Sequence, residues 1–244
     1  MAEDLSLSPM PEIGQAENAP PKNLIKDIFG IILDPTNTFK RVLAIGYWVG
    51  IFIILCLFAV AMEQATHTQL INMTIQKMQE NAGDNSAQVQ AAMSFYENQA
   101  ITRPVYGAIS VIGQLVYLLI FTVLYFFIGS VIFGGTAKFK QVWIVTCWSA
   151  VIMLIGMVVK TPLVLIKDNF QTGINLGLFF SEDLIGSKLH NALVNIDLFG
   201  VWHFIVAGIG LAVLYKFNNK KGISISFIVW LLLTLVAFVS GYMS

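Results

Sequence analysis

Gly134-Gly135-Thr136-Ala137-Lys138-Phe139-Lys140-Gln141 separates two long apolar runs, residues 105–133 and 142–159. A helix needs about 20 residues to cross the ~30 Å hydrocarbon layer; the first run exceeds that length and the second falls slightly short. The stretch between them is too short for a domain, so the two runs are expected to be adjacent antiparallel spans. Its glycines let the chain reverse, and Lys138 and Lys140 hold the turn on one side of the membrane. The rest of the chain can be placed around that reversal.

Apolar residues make up 57% of the chain and charged residues 11%, with equal numbers of acids and bases. That describes a polytopic membrane protein rather than a soluble domain. The balanced charge gives no basis for a nucleic-acid partner. Cys56 and Cys147 both fall inside apolar stretches and read as packed free thiols, not a disulfide framework.

Residues 1–21 are acidic, proline-bearing and without apolar period, the pattern of a disordered tail. They lack the basic start and apolar core of a cleaved signal peptide, so the first span is expected to remain in the mature protein. Residues 22–34 follow as a short amphipathic helix capped by Asn23, with Leu24, Ile25, Ile28, Phe29, Ile32 and Leu33 at helical spacing. Lys22, Lys26 and Asp27 mark its expected polar side. It is too short to span, so it is read as interfacial, with docking of a partner as the alternative. Leu24, Ile28, Phe29 and Ile32 are its candidate contact residues.

Residues 35–244 form the expected membrane domain. Asp34-Pro35 opens a helix expected to run through Phe39, Lys40 and Arg41 into span one, 43–62. Gly46 and Gly50 make a Gly-x-x-x-Gly pair there, read as a site of close internal packing. Residues 63–103 are a polar connection. It fits a helical hairpin broken at Gly83-Asp84-Asn85-Ser86, and equally two extensions of the neighbouring spans. Thr102-Arg103-Pro104 starts span two, 105–133. Span three, 142–159, is expected to end at Lys160-Thr161-Pro162. A second interfacial helix is expected from Ser181-Glu182-Asp183 to Ile196. Asp197 caps span four, 198–214, where Gly208 and Ala212 permit tight packing. Span five covers 223–242.

One side of this arrangement carries Lys22, Lys26, Lys40, Arg41, Lys138, Lys140, Lys216, Lys220 and Lys221. The other carries Lys77, Arg103, Lys160, Lys167 and Lys188 over much longer segments. The richer side is expected to be cytoplasmic, with the amino terminus inside and the carboxyl terminus on the opposite side.

Ionisable groups within a span are costly and usually functional, and here the span interiors hold almost none. His203, beside Trp202, reads as a packed or interfacial histidine, and Gln114 as a partner in an interhelical hydrogen bond. His67, His190 and His203 are too scattered to suggest a metal site. There is no His-Glu-x-x-His, Gly-x-Ser-x-Gly or phosphate-binding Gly-x-x-x-x-Gly-Lys pattern. No enzyme activity, cofactor or metal is therefore expected.

Three segments resemble one family. LDPTNTFKRV (33–42) resembles the segment before span one in the Yip family, the Ypt/Rab-interacting proteins. GGTAKFKQVWIV (134–145) is similar to that family's turn between spans two and three, and LVNIDLFGVWHFIVAGIGL (193–211) to the entry of its fourth span. These are patterns of the bacterial branch. Members often carry a proline in the first half of span three, where this chain has Ser149-Ala150-Val151. The Asp-Leu-Tyr-Gly-Pro motif of eukaryotic members is missing, so no role with Rab-type GTPases is carried over. The resemblance implies five spans and a non-catalytic protein that works by binding partners. In eukaryotic relatives that means membrane trafficking. In a bacterial inner membrane it implies a scaffold or accessory subunit of a complex such as an exporter, and a homo-oligomer is compatible with it.

The sequence thus gives an all-α bundle of five transmembrane helices with short interfacial helices, in contact with the lipid bilayer and other membrane proteins. The alternative function is a small-solute transporter or channel subunit. Against it stand the lack of buried charges and of an internal repeat.

Overall fold

A computed structural model describes residues 22–82, 87–167, 175–176 and 196–239. The expected tail, the break at 83–86 and most of the second interfacial helix lie outside the described residues, as does everything after 239. The described chain is all-helical, with one isolated bridge between Asn175 and Asp197. In order it comprises α1 (Leu24–Leu33), α2 (Pro35–Ile45), α3 (Val49–Ala82), α4 (Ala87–Glu97) and α5 (Gln99–Phe126). A π-helical turn, Phe127–Ile132, ends α5. Then come α6 (Phe139–Ser149), α7 (Val151–Lys167), α8 (Leu198–Tyr215) and α9 (Asn219–Val239).

Five of the helical stretches are long and apolar enough to cross a membrane: Val49–Glu80, Gln99–Ile132, Phe139–Lys167, Leu198–Tyr215 and Asn219–Val236. They do not share the interior equally. Every residue from Val142 to Ser149 of α6 is buried, and α8 packs against α2, α6, α7 and α9. Helices α3, α5 and α9 turn Leu57, Ile112, Val116, Leu231 and Val236 outward, as a lipid-facing periphery does. Close contact between α8 and α9 depends on glycine. A Cβ on Gly208 would stand 2.5 Å from Ile223 Cα, and one on Gly222 would run into the Gly208 carbonyl oxygen and Ala212.

The reversal at 134–141 follows from its residues. Gly134 adopts φ 67, the left-handed conformation that glycine tolerates best. Gly135 has no room for a side chain against Tyr215 and Phe217. The Tyr215 and Phe217 rings stack at 5.4 Å, and Lys221 Nζ lies 3.6 Å above the Phe217 ring while donating to the Phe133 carbonyl at 3.2 Å. Span two, the turn and the α8–α9 connection are thereby fastened together.

Four expectations about continuity need correcting. The helix opened at Pro35 does not run into span one. It stops at Gly46, which takes φ 71 and closes α2 with its N–H on the Val42 carbonyl at 2.9 Å. The chain turns through Tyr47 and Trp48 before α3, and Trp148 Nε1–H donates to the Tyr47 carbonyl at 3.1 Å. Span three is likewise broken, at Ala150, where the Met153 N–H reaches the Ala150 carbonyl at 3.0 Å. Conversely, Pro104 and Pro162 neither start nor stop a helix but lie within α5 and α7. Each costs one backbone bond near the end of a long helix, which the remaining turns can bear. The connection after span one proves to be half of each reading: α3 continues unbroken to Ala82, and α4 packs back against α3 and α5.

Candidate functional site

Helix α1 was expected to lie with one apolar stripe down and Asp27 among the polar residues. The structure rotates it. Asn23 caps it by accepting from the Lys26 N–H at 3.0 Å, and Asp27 and Ile31 are fully buried against the bundle. Leu24, Ile28 and Ile32 pack partly against the same core. Phe29 does not join them. It projects outward with Ile25 and Leu33, at 59%, 70% and 80% exposure, an i, i+4, i+8 stripe along the opposite face. Of the four candidate contact residues, three therefore face inward and only Phe29 is available to a partner.

Asp27 is held by charge and hydrogen bonding. The Arg41 guanidinium of α2 forms an ion pair with Asp27 Oδ1, and Tyr47 Oη–H donates to Oδ2 at 3.0 Å. Burial pushes the Tyr47 phenol above its ordinary value, with the Arg41 charge pulling the other way, so it stays a donor. A buried carboxylate needs this kind of pairing to be tolerated. The group acts as a latch, fixing α1 to α2 and to the start of α3. Around it the same end of the bundle exposes Lys22, Lys26, Lys40, Lys138, Lys140, Lys216 and Lys220. A cue to the latch existed in the sequence. Asp27 falls three residues after Leu24 and four before Ile31, on the stripe rather than opposite it.

At the far end, α3 and α5 meet through a second polar cluster that sequence reasoning missed. His67 is 1% exposed, with Nδ1 2.7 Å from Glu63 Oε1 and Nε2 3.2 Å from Thr102 Oγ1. Gln64 Nε2–H donates to the Arg103 carbonyl at 2.8 Å, and Arg103 Nη1–H returns a bond to the Gln64 carbonyl at 3.3 Å. The Glu63–His67 spacing of i, i+4 was the available signal. A cavity of about 180 Å³ adjoins it, lined by His67, Asn72, Tyr96 and Gln99 among others.

His203 lies in the middle of the bundle, fully packed, with the Phe121 and Phe204 rings edge-on to it at 6.2 and 5.2 Å. Its Nδ1–H donates to the Ser149 carbonyl at 3.1 Å. That carbonyl is the one the break at Ala150 deprives of its usual Met153 partner, so His203 satisfies a backbone group that hydrocarbon would otherwise strand. Gln114 makes no hydrogen bond among the described residues. It lines a crevice of about 100 Å³ between α3, α5 and α7. Gly46 and Gly50 do not act as a helix-packing pair: the first terminates α2, and Gly50 leaves ordinary space beside Leu24, 3.7 Å from where its Cβ would be. Gly208 and Ala212 sit at the α8–α9 contact, with Gly222 as the partner the sequence reading overlooked. Among the described residues no group of His, Cys, Asp and Glu is arranged to hold a metal.

No curated protein and no solved structure matches the chain. The sequence does match the Yip1 domain over residues 29–241, from the middle of α1 to just past α9. With nearly all of its length covered and five helices able to span a bilayer, this integral membrane protein belongs to the Yip1 domain family.

Proposed function

We propose that the protein is a non-catalytic scaffold or accessory subunit that binds other membrane proteins, acting in a bacterial inner membrane with its lysine-rich end in the cytoplasm. The observation that carries this reading is the latched helix α1. A buried ion pair holds it rigid while Ile25, Phe29 and Leu33 face away from the bundle. Three large side chains left in water would forfeit about 1.5 kcal/mol or more each, so the stripe requires a cover. The surrounding charge is basic, which suits a partner with an apolar contact strip and an acidic rim.

The test is affinity purification from native membranes, comparing the wild-type protein with an Ile25→Ser, Phe29→Ser, Leu33→Ser variant. These positions are exposed, so the bundle should melt as before. Co-purification of an acidic-surfaced membrane protein should fall about tenfold or more. An identical set of co-purifying proteins would overturn the reading. If labels at Asn23 and Thr36 instead become water-exposed in the variant with no protein lost, the bilayer surface is the cover and the scaffold proposal loses its contact site.

A further inference from the structure

The lysine-rich end is short of carboxylates. The two described there are already engaged: Asp27 is buried against Arg41, and Asp34 caps α2. Lys22, Lys26 and Lys40 are exposed and form no ion pair among the described residues. Two of them adjoin the apolar stripe of α1. Lys22 stands three residues from Ile25, and Lys26 three from Phe29, so a row of ammonium groups runs beside the row of apolar side chains. Whatever covers this face should therefore carry apolar side chains and acids close together.

The chain itself supplies that chemistry, next to the stripe. Residues 1–21 contain Glu3, Asp4, Glu12 and Glu17 and no Lys, Arg or His. Leu5, Leu7, Met10 and Ile13 are interleaved with these acids. The segment joins α1 directly at Lys22 and Asn23, the end from which the stripe starts. Helix α1, ten residues long, measures about 15 Å, a distance that about five residues of extended chain can cover. Some fifteen residues remain for the reversal and for reaching Lys40. Covalent attachment also gives the segment an effective concentration of about millimolar, so a weak contact suffices to fill the site.

We propose that residues 3–17 fold back over α1, setting Met10 and Ile13 on the Ile25, Phe29 and Leu33 stripe and their acids against Lys22, Lys26 and Lys40. This rests on the stripe being the partner's contact, and it makes the amino-terminal segment an intrachain competitor for that contact. A partner gains the site by displacing it. The charge pairs are exposed and screened by salt, so the contact is readily reversible, as a competitor's must be.

The experiment uses the full chain in nanodiscs of mixed phosphatidylcholine and phosphatidylglycerol, with a benzophenone side chain in place of Phe29. Trypsin separates residues 1–22 from the Asp27–Lys40 peptide that carries the benzophenone, so a photochemical link between the two is read by mass spectrometry. The link should be about tenfold more frequent than one from the same group at the lipid-facing Leu231. Reconstitution from an equal mixture of unlabelled and nitrogen-15-labelled chains should give links within one isotope only. Glu3→Gln, Asp4→Asn, Glu12→Gln and Glu17→Gln together should lower the yield about fivefold, and Met10→Ser with Ile13→Ser should lower it comparably. These positions precede the helices and the family match, so the melting temperature should be unchanged. Links to lipid alone, links between isotopes, or a yield indifferent to both variants would overturn the proposal. The readout needs no partner, so the two readings fail separately. Intrachain links with no captured protein would leave the fold-back and remove the scaffold; a captured protein without such links would do the reverse.

Discussion

The two ends of the bundle each bury a titratable side chain between helices, but they do so with different degrees of redundancy. At the lysine-rich end, Asp27 is fully buried and depends on Arg41 for its countercharge. At the far end, His67 is equally buried, yet each neighbour has a further partner. Glu63 also accepts from Gln64 Nε2–H at 2.5 Å, and Thr102 Oγ–H can turn to the Asn98 carbonyl at 3.3 Å. The Gln64–Arg103 bonds join the same two helices without using His67 at all. Deleting one member should therefore be far more damaging at the first end than at the second.

The largest effect is expected from Arg41→Met. It keeps most of the side-chain volume but leaves the Asp27 carboxylate buried with only the Tyr47 hydroxyl. Breaking a buried pair in this way costs about 3–5 kcal/mol, and the partial exposure of Arg41 places the expectation near the low end. Cysteine labelling at Lys26 should report α1 detached while the five spans remain helical. The double change Arg41→Met with Asp27→Leu should recover much of the loss, because an apolar replacement of both partners removes the stranded charge. A single variant that keeps α1 in place would remove the latch from the account of this end.

His67→Phe should cost less, about 1–2 kcal/mol, since two modest hydrogen bonds are lost and no buried charge is left alone. The added ring can use the edge-on contact that His67 already makes with Tyr106 at 5.5 Å. Chemical denaturation in a mild detergent, run beside Arg41→Met, measures the gap directly. Equal losses at the two ends would mean that the Gln64–Arg103 bonds do not share the load.

The contrast also separates what could be read from the sequence from what could not. Spans were legible because hydropathy is a property of contiguous residues. The caps at Asn23, Asp34 and Asp197 were legible because they depend on residue type and a three-residue reach. The breaks at Gly46 and Ala150 were not, since each is stabilised from far along the chain, by Trp148 on the Tyr47 carbonyl and by His203 on the Ser149 carbonyl. The absence of the family's usual proline in span three made Ala150 look continuous, yet the helix divides there without it. Asp27 was misplaced because a carboxylate on an apolar stripe is read as polar face unless its distant cation is known. Arg41 was counted among the charges that set orientation, a role that concealed its pairing. His67 was overlooked because Thr102, its partner across the interface, lies on another helix.

The smallest effect returns to the lysine-rich end and to its other aspartate. Asp34 is exposed and caps α2, accepting from the Asn37 backbone N–H at 3.2 Å and from the Asn37 side chain at 2.8 Å. Those hydrogen bonds, first the side-chain one, hold its carboxyl below the ordinary value of 3.8. A folded value lower than the unfolded one means that the contribution is fully present above pH 3.8 and is lost as pH falls through the folded value. Asp34→Ala should therefore lower the melting temperature slightly at pH 7, and the difference from wild type should shrink steadily below pH 3.8. Asp34→Asn keeps an oxygen acceptor at the cap and should match wild type more closely, without that pH dependence. Melting curves of the three proteins from pH 7 to pH 3 decide the point. A gap that stays constant down to pH 3 would show that the ionised cap contributes nothing. A gap as large as that of Arg41→Met would show that the entry into α2, rather than the ion pair beneath α1, holds this end together.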